Sequence, residues 1–322
     1  MRITVGSMFA GIGGICLAFK QNGCQMIWAN EIDKHACKTY RMNFGSDFLI
    51  EEDIQKIQAI DIPKFDILTA GFPCQTFSSV GLLQGFNDPR GNLFFETARV
   101  INATKPKVVF LENVANLVKH DDGKTFQVIL KTLEDLGYYA VYKIMNAKEY
   151  GNIPQQRNRI YIVAFKYKKY LKHFKFPEAI PLTKTAFDLY DKDRKDMKYY
   201  MGEHRMWNRM MEYMTDKNRV YRFTDWGLSR GMEGICPTLL AAMGSRFERI
   251  PFFYDDYSVR LMTPRECLRM QGFPEKYIIP TENEKQVYKQ IGNSVCVPIV
   301  DRIAQNIILS LEKGDKIKNE KI

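Results

Sequence analysis

No stretch of this chain approaches the roughly 20 consecutive apolar residues that a membrane-crossing helix needs. Its seven cysteines are odd in number and no two form a Cys-x-x-Cys pair. That spacing disfavours both a disulfide framework and a clustered zinc site, so no metal and a reduced, cytoplasmic setting are expected. Internal repeats and low-complexity tracts are missing too, which sets aside solenoids. The opening MRITVGSMFAGIGG lacks the layout of a secretory signal and reads as a strand followed by a turn.

What the 322 residues do have is positive charge, +10 in formal terms. Such an excess favours polyanionic partners, nucleic acid before membrane surface, against a merely soluble basic protein. Residues 166–230 carry most of the surplus, with Tyr, Phe, Trp and Met set among the Lys and Arg. That mixture suits phosphate contacts combined with stacking, and equally an ordinary half-buried face.

The first half alternates apolar, β-prone runs at 3–9, 26–30, 48–50, 65–70, 108–111, 139–145 and 160–165 with helical patterns at 15–21, 34–42, 93–104 and 126–136. Near-continuously apolar strands separated by helices predict a doubly wound α/β domain with a parallel sheet. The close succession of 139–145 and 160–165 predicts an antiparallel pair at the sheet edge. After about residue 166 the rhythm stops, and an irregular second domain is expected. Helical signals return at Thr263-Pro264 with Glu266 in the first turn, and again from Val297, where apolar residues recur with helical spacing.

Chemistry-bearing residues collect at the ends of the predicted strands. Gly11, Gly13 and Gly14 permit a tight turn at a helix start. Cys16 stands where the dinucleotide fingerprint has its third glycine. Glu31 follows about 20 residues on, where an acid can accept ribose hydroxyls, and Asp53 ends the next strand. The alternative for such acids, at Asp53 more than at Glu31, is a helix cap. Cys74, in GFPCQ, is placed at the carboxyl end of the fourth strand, either packed or acting as a nucleophile. The loop 78–91 after it, with Gly81, Gly85 and Gly91, could close over a substrate. Glu112 and Asn113 end the fifth strand, where a carboxyl group between apolar walls would have a raised pKa suited to protonating a ring nitrogen. Arg157 and Arg159 are two residues apart, which on an extended segment turns both to one face. Gly292-Asn293 is a turn beside a helix.

In order, FAGIGG (9–14), ANEID (29–33), GFPCQ (71–75), ENV (112–114), QQRNR (155–159), RECLRMQGFP (265–274) and GNSV (292–295) resemble the blocks of the C5-cytosine-specific DNA methyltransferase family, bacterial restriction-modification type. CPTLL (236–240) resembles that family's Thr-Leu recognition element. The resemblance implies a Rossmann-like S-adenosylmethionine-dependent methyltransferase fold with a smaller target-recognition domain. It places the catalytic domain at 1–168 plus 288–322 and the recognition domain at 169–287. It implies that Cys74 adds to cytosine C6, that Glu112 engages N3 and the exocyclic amine, and that Arg159 holds the base with Arg157 or Gln155 supporting the site. The cofactor S-adenosylmethionine, leaving as S-adenosylhomocysteine, would meet Phe9, Gly11, Gly13, Gly14, Glu31, Ile32, Asp53, Ile54, Pro73 and Asn293. DNA would meet Gln75, Ser78, Gln155, Thr238 and Leu239, with the target cytosine flipped out of the duplex. A monomer acting on double-stranded DNA, with a restriction endonuclease as its genetic partner, is what the family suggests. A nicotinamide-dependent dehydrogenase would share the glycine turn but gives Cys74 and Arg159 no common role. The tRNA-methylating branch carries a Cys-Phe-Thr element that this chain lacks.

Overall fold

The structure, a computed structural model, describes residues 2–72, 93–202, 207–225 and 227–319. They form two compact units. The first comprises Met1–Met145, Asn158–Glu178 and Val300–Ile322, and the second Asn146–Arg157 and Ala179–Ile299.

The first unit begins β1 (Thr4–Met8), α1 (Gly14–Gln21), β2 (Gln25–Glu31), α2 (Lys34–Phe44), β3 (Leu49–Glu51), β4 (Ile67–Ala70), α3 (Leu93–Thr104), β5 (Val108–Val114), α4 (Lys124–Asp135) and β6 (Tyr139–Asn146). After α5 (Ala147–Tyr150) and β7 (Gln155–Gln156), β8 (Asn158–Phe165) and α6 (Lys168–Leu171) complete its first part. Seven strands lie in the order β3-β2-β1-β4-β5-β8-β6. Parallel pairing joins β3 to β2, β2 to β1, β1 to β4 and β4 to β5, whereas β8 runs antiparallel to β5. The order therefore reverses between β1 and β4, and in such sheets the ligand crevice lies beyond the carboxyl ends of those two strands.

The apolar runs give this core its shape. Met8, Leu68, Val109, Leu111, Ile160 and Ile162 are all but inaccessible and pack in one cluster with Phe94, Phe126 and Ile129 from the helices. Asp33 caps α2 by accepting from the N–H groups of His35 and Ala36. The expected strand pair does end one side of the sheet, with β8 its inner member and β6 at the edge. Residues 160–165 are buried without alternation, which demands cover on both faces, while β6 alternates with exposed Tyr139, Tyr142 and Ile144.

The second unit continues with α7 (Trp207–Tyr213), β9 (Arg219–Thr224), β10 (Gly227–Glu233), β11 (Cys236–Pro237), β12 (Phe252–Tyr254), β13 (Val259–Leu261), α8 (Pro264–Arg269) and α9 (Glu284–Asn293). The last helix, α10 (Val297–Asn319), starts here and lies mostly in the first unit. The segment expected to be irregular holds a four-stranded sheet in the order β10-β9-β12-β13. The Thr263-Pro264 start of α8 is a complete capping box, Thr263 and Glu266 each accepting from the other's backbone N–H. Buried Arg260 of β13 makes a bidentate pair with buried Glu266 of α8 at 2.7 and 2.9 Å, and Asp255 accepts from its Nε.

The observed division departs from 1–168 plus 288–322 against 169–287. Residues 169–178 belong with the first unit, where Phe174 packs on Phe165 and Ser310 donates to the carbonyl of Tyr170. Residues 146–157 and 288–299 belong with the second, where β7 pairs with β11. Lys169, Lys172 and Lys175 of the basic segment therefore lie in the first unit.

Candidate active site

At the carboxyl end of β1 the chain turns sharply. Phe9 has φ of 52°, Gly11 56° and Gly13 83°, all left-handed. A side chain at Gly13 would strike the ring of Phe44 at 2.4 Å, whereas one at Gly11 would project into open space. Here α1 begins at Gly14. Glu31, ending β2, faces this turn: its Oε2 accepts from the Gly11 N–H at 2.8 Å, and its Oε1 from the N–H groups of Ile32 and Asp33 at 2.9 Å each. Oε1 thus has both lone-pair directions taken, while Oε2 keeps one for a further donor. Ile32 is 64% exposed, unusual for an isoleucine beside a strand end. Asp53 caps a short turn through Oδ1, which accepts from Gln55 N–H. Ile54, expected to touch a cofactor, has its side chain in the hydrophobic core, so only its backbone can serve that purpose.

At the carboxyl end of β5, Glu112 and Arg159 form an ion pair, with 3.2 Å between Oε1 and Nε and both side chains nearly buried. The register explains it: β8 enters the sheet at Arg159 opposite Val114, two residues from Glu112. Oε2 of Glu112 borders Gly71, just past β4. Beside it, buried Asn113 donates from Nδ2 to the Phe72 carbonyl at 2.8 Å, tying the β5 end to the backbone that leads toward Cys74. Pro73, Cys74, Gln75, Ser78 and the loop 78–91 lie outside the described residues.

Arg157 does not share the face of Arg159. It falls in the break between β7 and β8, is 2% exposed, and donates to the carbonyls of Leu239, Gly292 and Ser294. Gln155, wholly buried, donates to Met270 carbonyl and accepts from Leu239 N–H. Leu239 is itself fully buried, with its N–H and carbonyl both occupied. These three residues, expected at catalysis or DNA, make a polar clasp that positions neighbouring chain. Gln271, a member sequence reasoning missed, completes it by donating to Ile291 carbonyl at 3.0 Å. Thr238 donates its hydroxyl to Gln156 carbonyl, while Arg222 donates to the Thr238 carbonyl at 2.7 Å. Asn293 ends α9 with its side chain exposed.

The glycine turn with Glu31, and the carboxylate–guanidinium pair beside the end of β4, thus both stand at the carboxyl end of one sheet. The profile of the family described as C-5 cytosine-specific DNA methylase matches residues 3–309. This chain belongs to that family. It is similar to the Type II methyltransferase M.Bsp6I of Bacillus sp. (strain RFL6), 45% identical over 314 residues covering 96% of this chain and 99% of that one. It is also similar to the Type II methyltransferase M.HhaI of Haemophilus parahaemolyticus, 39% identical and covering 94% of each chain. It is a DNA cytosine-5-methyltransferase of restriction-modification type. Among solved structures, S. pombe Dnmt2 methyltransferase shares the fold with a TM-score of 0.70 at 20% identity, over 97% of this chain and 98% of that one. The dehydrogenase reading falls away.

Proposed function

We propose that the chain transfers a methyl group from S-adenosylmethionine to C5 of a cytosine extruded from duplex DNA, through a transient bond between Cys74 and C6. The observation that carries this reading is the buried Glu112–Arg159 pair at the end of β5, beside the backbone that leads from β4 into Cys74. Cytosine C5 is a poor nucleophile. Addition of the Cys74 thiolate across C5=C6 makes it enamine-like, provided charge on the ring is neutralised. Glu112 meets N3 and the exocyclic amine and delivers the proton, while Arg159 holds Glu112 in place and contacts the base. Loss of the C5 proton then re-forms C5=C6 and expels Cys74. Inside a duplex the face of the ring is inaccessible, hence the base flip.

The residues present fit the cofactor. The open cradle over Gly11 admits a ligand at the start of α1, Oε2 of Glu31 can accept a ribose hydroxyl, and exposed Ile32 can cover an adenine ring. Phe9, Gly13 and Gly14 shape that turn, and Asp53 keeps Oδ2 for an exocyclic amine. When bound, S-adenosylmethionine supplies an electrophilic methyl group. Pro73 is assigned to this pocket, and Gln75, Ser78 and Thr238 to DNA. No metal is called for by these steps.

Methyl transfer from tritiated S-adenosylmethionine to plasmid DNA, followed by bisulfite sequencing, tests the proposal. Label at C5 of one cytosine in a short recurring sequence is expected, and its loss in Cys74→Ser. Labelling of tRNA with none in DNA, or full activity of Cys74→Ser, would overturn it.

A further inference from the structure

The Lys-rich start of the basic segment lies in the first unit, at the end of the sheet away from Glu112 and Arg159. In the β5–β8 ladder Val108 pairs with Phe165 at one end and Val114 with Arg159 at the other. Six residue steps separate these ends by about 20 Å. Lys105 immediately follows α3 and lies three residues before β5, and Lys166 immediately follows the carboxyl end of β8, its N–H donating to the Lys107 carbonyl. Lys168 opens α6, and Lys172 caps it one turn later on the same face.

Two exposed tyrosines are interleaved with these lysines. The Lys168 ammonium lies 5.1 Å from the ring centroid of Tyr139, and that of Lys166 lies 5.9 Å from Tyr167. Tyr139 is 41% and Tyr167 48% exposed. Nearby carboxylates are already engaged, Asp66 by Lys107, Asp315 by Lys169, and Glu134 and Asp135 by Lys131. Among the described residues, Lys105, Lys166, Lys168 and Lys172 have no ion pair. A cluster of like charges without counter-ions is a surface that a polyanion neutralises, and aromatic rings under the ammonium groups hold them in place.

We propose that this face binds a second segment of duplex DNA, through its phosphates and without regard to sequence, while the first is held for methylation. The inference rests on DNA being the substrate. A duplex that crosses the strand ends at the crevice would have to be turned back within a few tens of ångströms to reach these lysines as well, a costly bend for DNA with a persistence length of about 50 nm. The occupant is therefore a distant stretch of the same molecule or another molecule. Such a site would let the enzyme pass between segments while searching for its target.

The experiment uses the whole chain and a labelled 20-base-pair poly(dA)·poly(dT) duplex, which contains no cytosine, titrated to saturation at about 50 mM salt, where phosphate contacts are strong. Wild type is expected to bind two duplexes per protein. The Lys166→Glu, Lys168→Glu, Lys172→Glu variant should bind one, while single-turnover methylation of plasmid remains within twofold of wild type. A Lys131→Glu control should still bind two. A stoichiometry of one for wild type, or of two for the triple variant, would overturn the proposal. So would lysine-dependent capture by phosphatidylserine vesicles without a second duplex. Loss of plasmid methylation in wild type would count against the proposed function instead, leaving the duplex count interpretable.

Discussion

Nε of Arg159 lies 3.2 Å from Oε1 of Glu112, whereas the guanidinium of Arg157, two residues earlier, is surrounded by backbone carbonyls. Neighbouring arginines in one motif thus have separate tasks, and substitutions should separate them. Arg159→Ala should abolish methyl transfer and, by leaving Glu112 without its partner, also lower the melting temperature, though less than the change at Arg157. Arg157→Ala removes the donor from three buried carbonyls and should destabilise the protein by about 3 kcal/mol. Calorimetry alongside methyl-transfer rates would check both. Equal melting temperatures for the two variants would contradict the assignment.

Glu112→Gln keeps the shape of the side chain but removes its proton-donating capacity. Turnover is expected to fall by about 10²–10⁴-fold, the usual worth of a positioned acid. S-adenosylmethionine binding, measured by isothermal titration, should be unchanged. A parallel loss of cofactor affinity would show that Glu112 organises the pocket rather than the base.

The glycine turn offers a contrast between stability and binding. Gly13→Ala forces a methyl group against Phe44 at a positive φ and should lower the melting temperature. Gly11→Ala meets open space and incurs only left-handed strain of about 1–2 kcal/mol. Its methyl would enter the cradle, so cofactor affinity should drop more than stability. Titration and thermal unfolding of the two variants give the comparison.

The buried Arg260–Glu266 pair joins β13 to α8. Removing one partner leaves the other charge stranded, so Glu266→Ala should cost about 3–5 kcal/mol. Chemical denaturation would measure it, and Glu266→Gln should cost less because it preserves hydrogen-bond acceptance.

Burial pushes the thiols of Cys24, Cys37 and Cys296 up, to about 11, 12 and 12 from 9.0, with nearby carboxylates adding to the rise at Cys24 and Cys37. A raised folded pKa contributes stability that is complete below the unfolded value and is lost as pH rises through the folded one. Melting temperature should therefore fall between about pH 9 and pH 12, and less steeply in Cys37→Ala. At pH 8 these thiols, with buried Cys16, Cys236 and Cys267, should resist iodoacetamide in the native protein. Peptide mapping after alkylation would reveal any that react.

Much of the first unit was legible because its strands are short apolar runs and its helices have a strong period. Thus α3 spans 93–104 in both readings, and Glu112 and Glu31 fall at strand ends as their spacing implied. The sheet of the second unit was hidden because β9 and β10 mix arginines with half-buried residues and offer no clean alternation. Arg157 was expected to share a face with Arg159 because alternation assumes a continuous strand. The chain breaks at Arg157, where β7 leaves for β11, so one-face reasoning fails there. The Gln271 contribution to the clasp depends on residues 20 positions away and had no local signal.

The central claim, a covalent bond from Cys74 to cytosine C6, has a direct measurement. Duplex DNA made with 5-fluorocytosine in place of cytosine has no proton to lose at C5, so the bond should persist after methyl transfer. Incubation with the protein and S-adenosylmethionine, digestion, and mass spectrometry should yield the peptide carrying Cys74 linked to a methylated fluorocytosine. An adduct on a different cysteine, or none from protein that methylates ordinary DNA, would contradict the account.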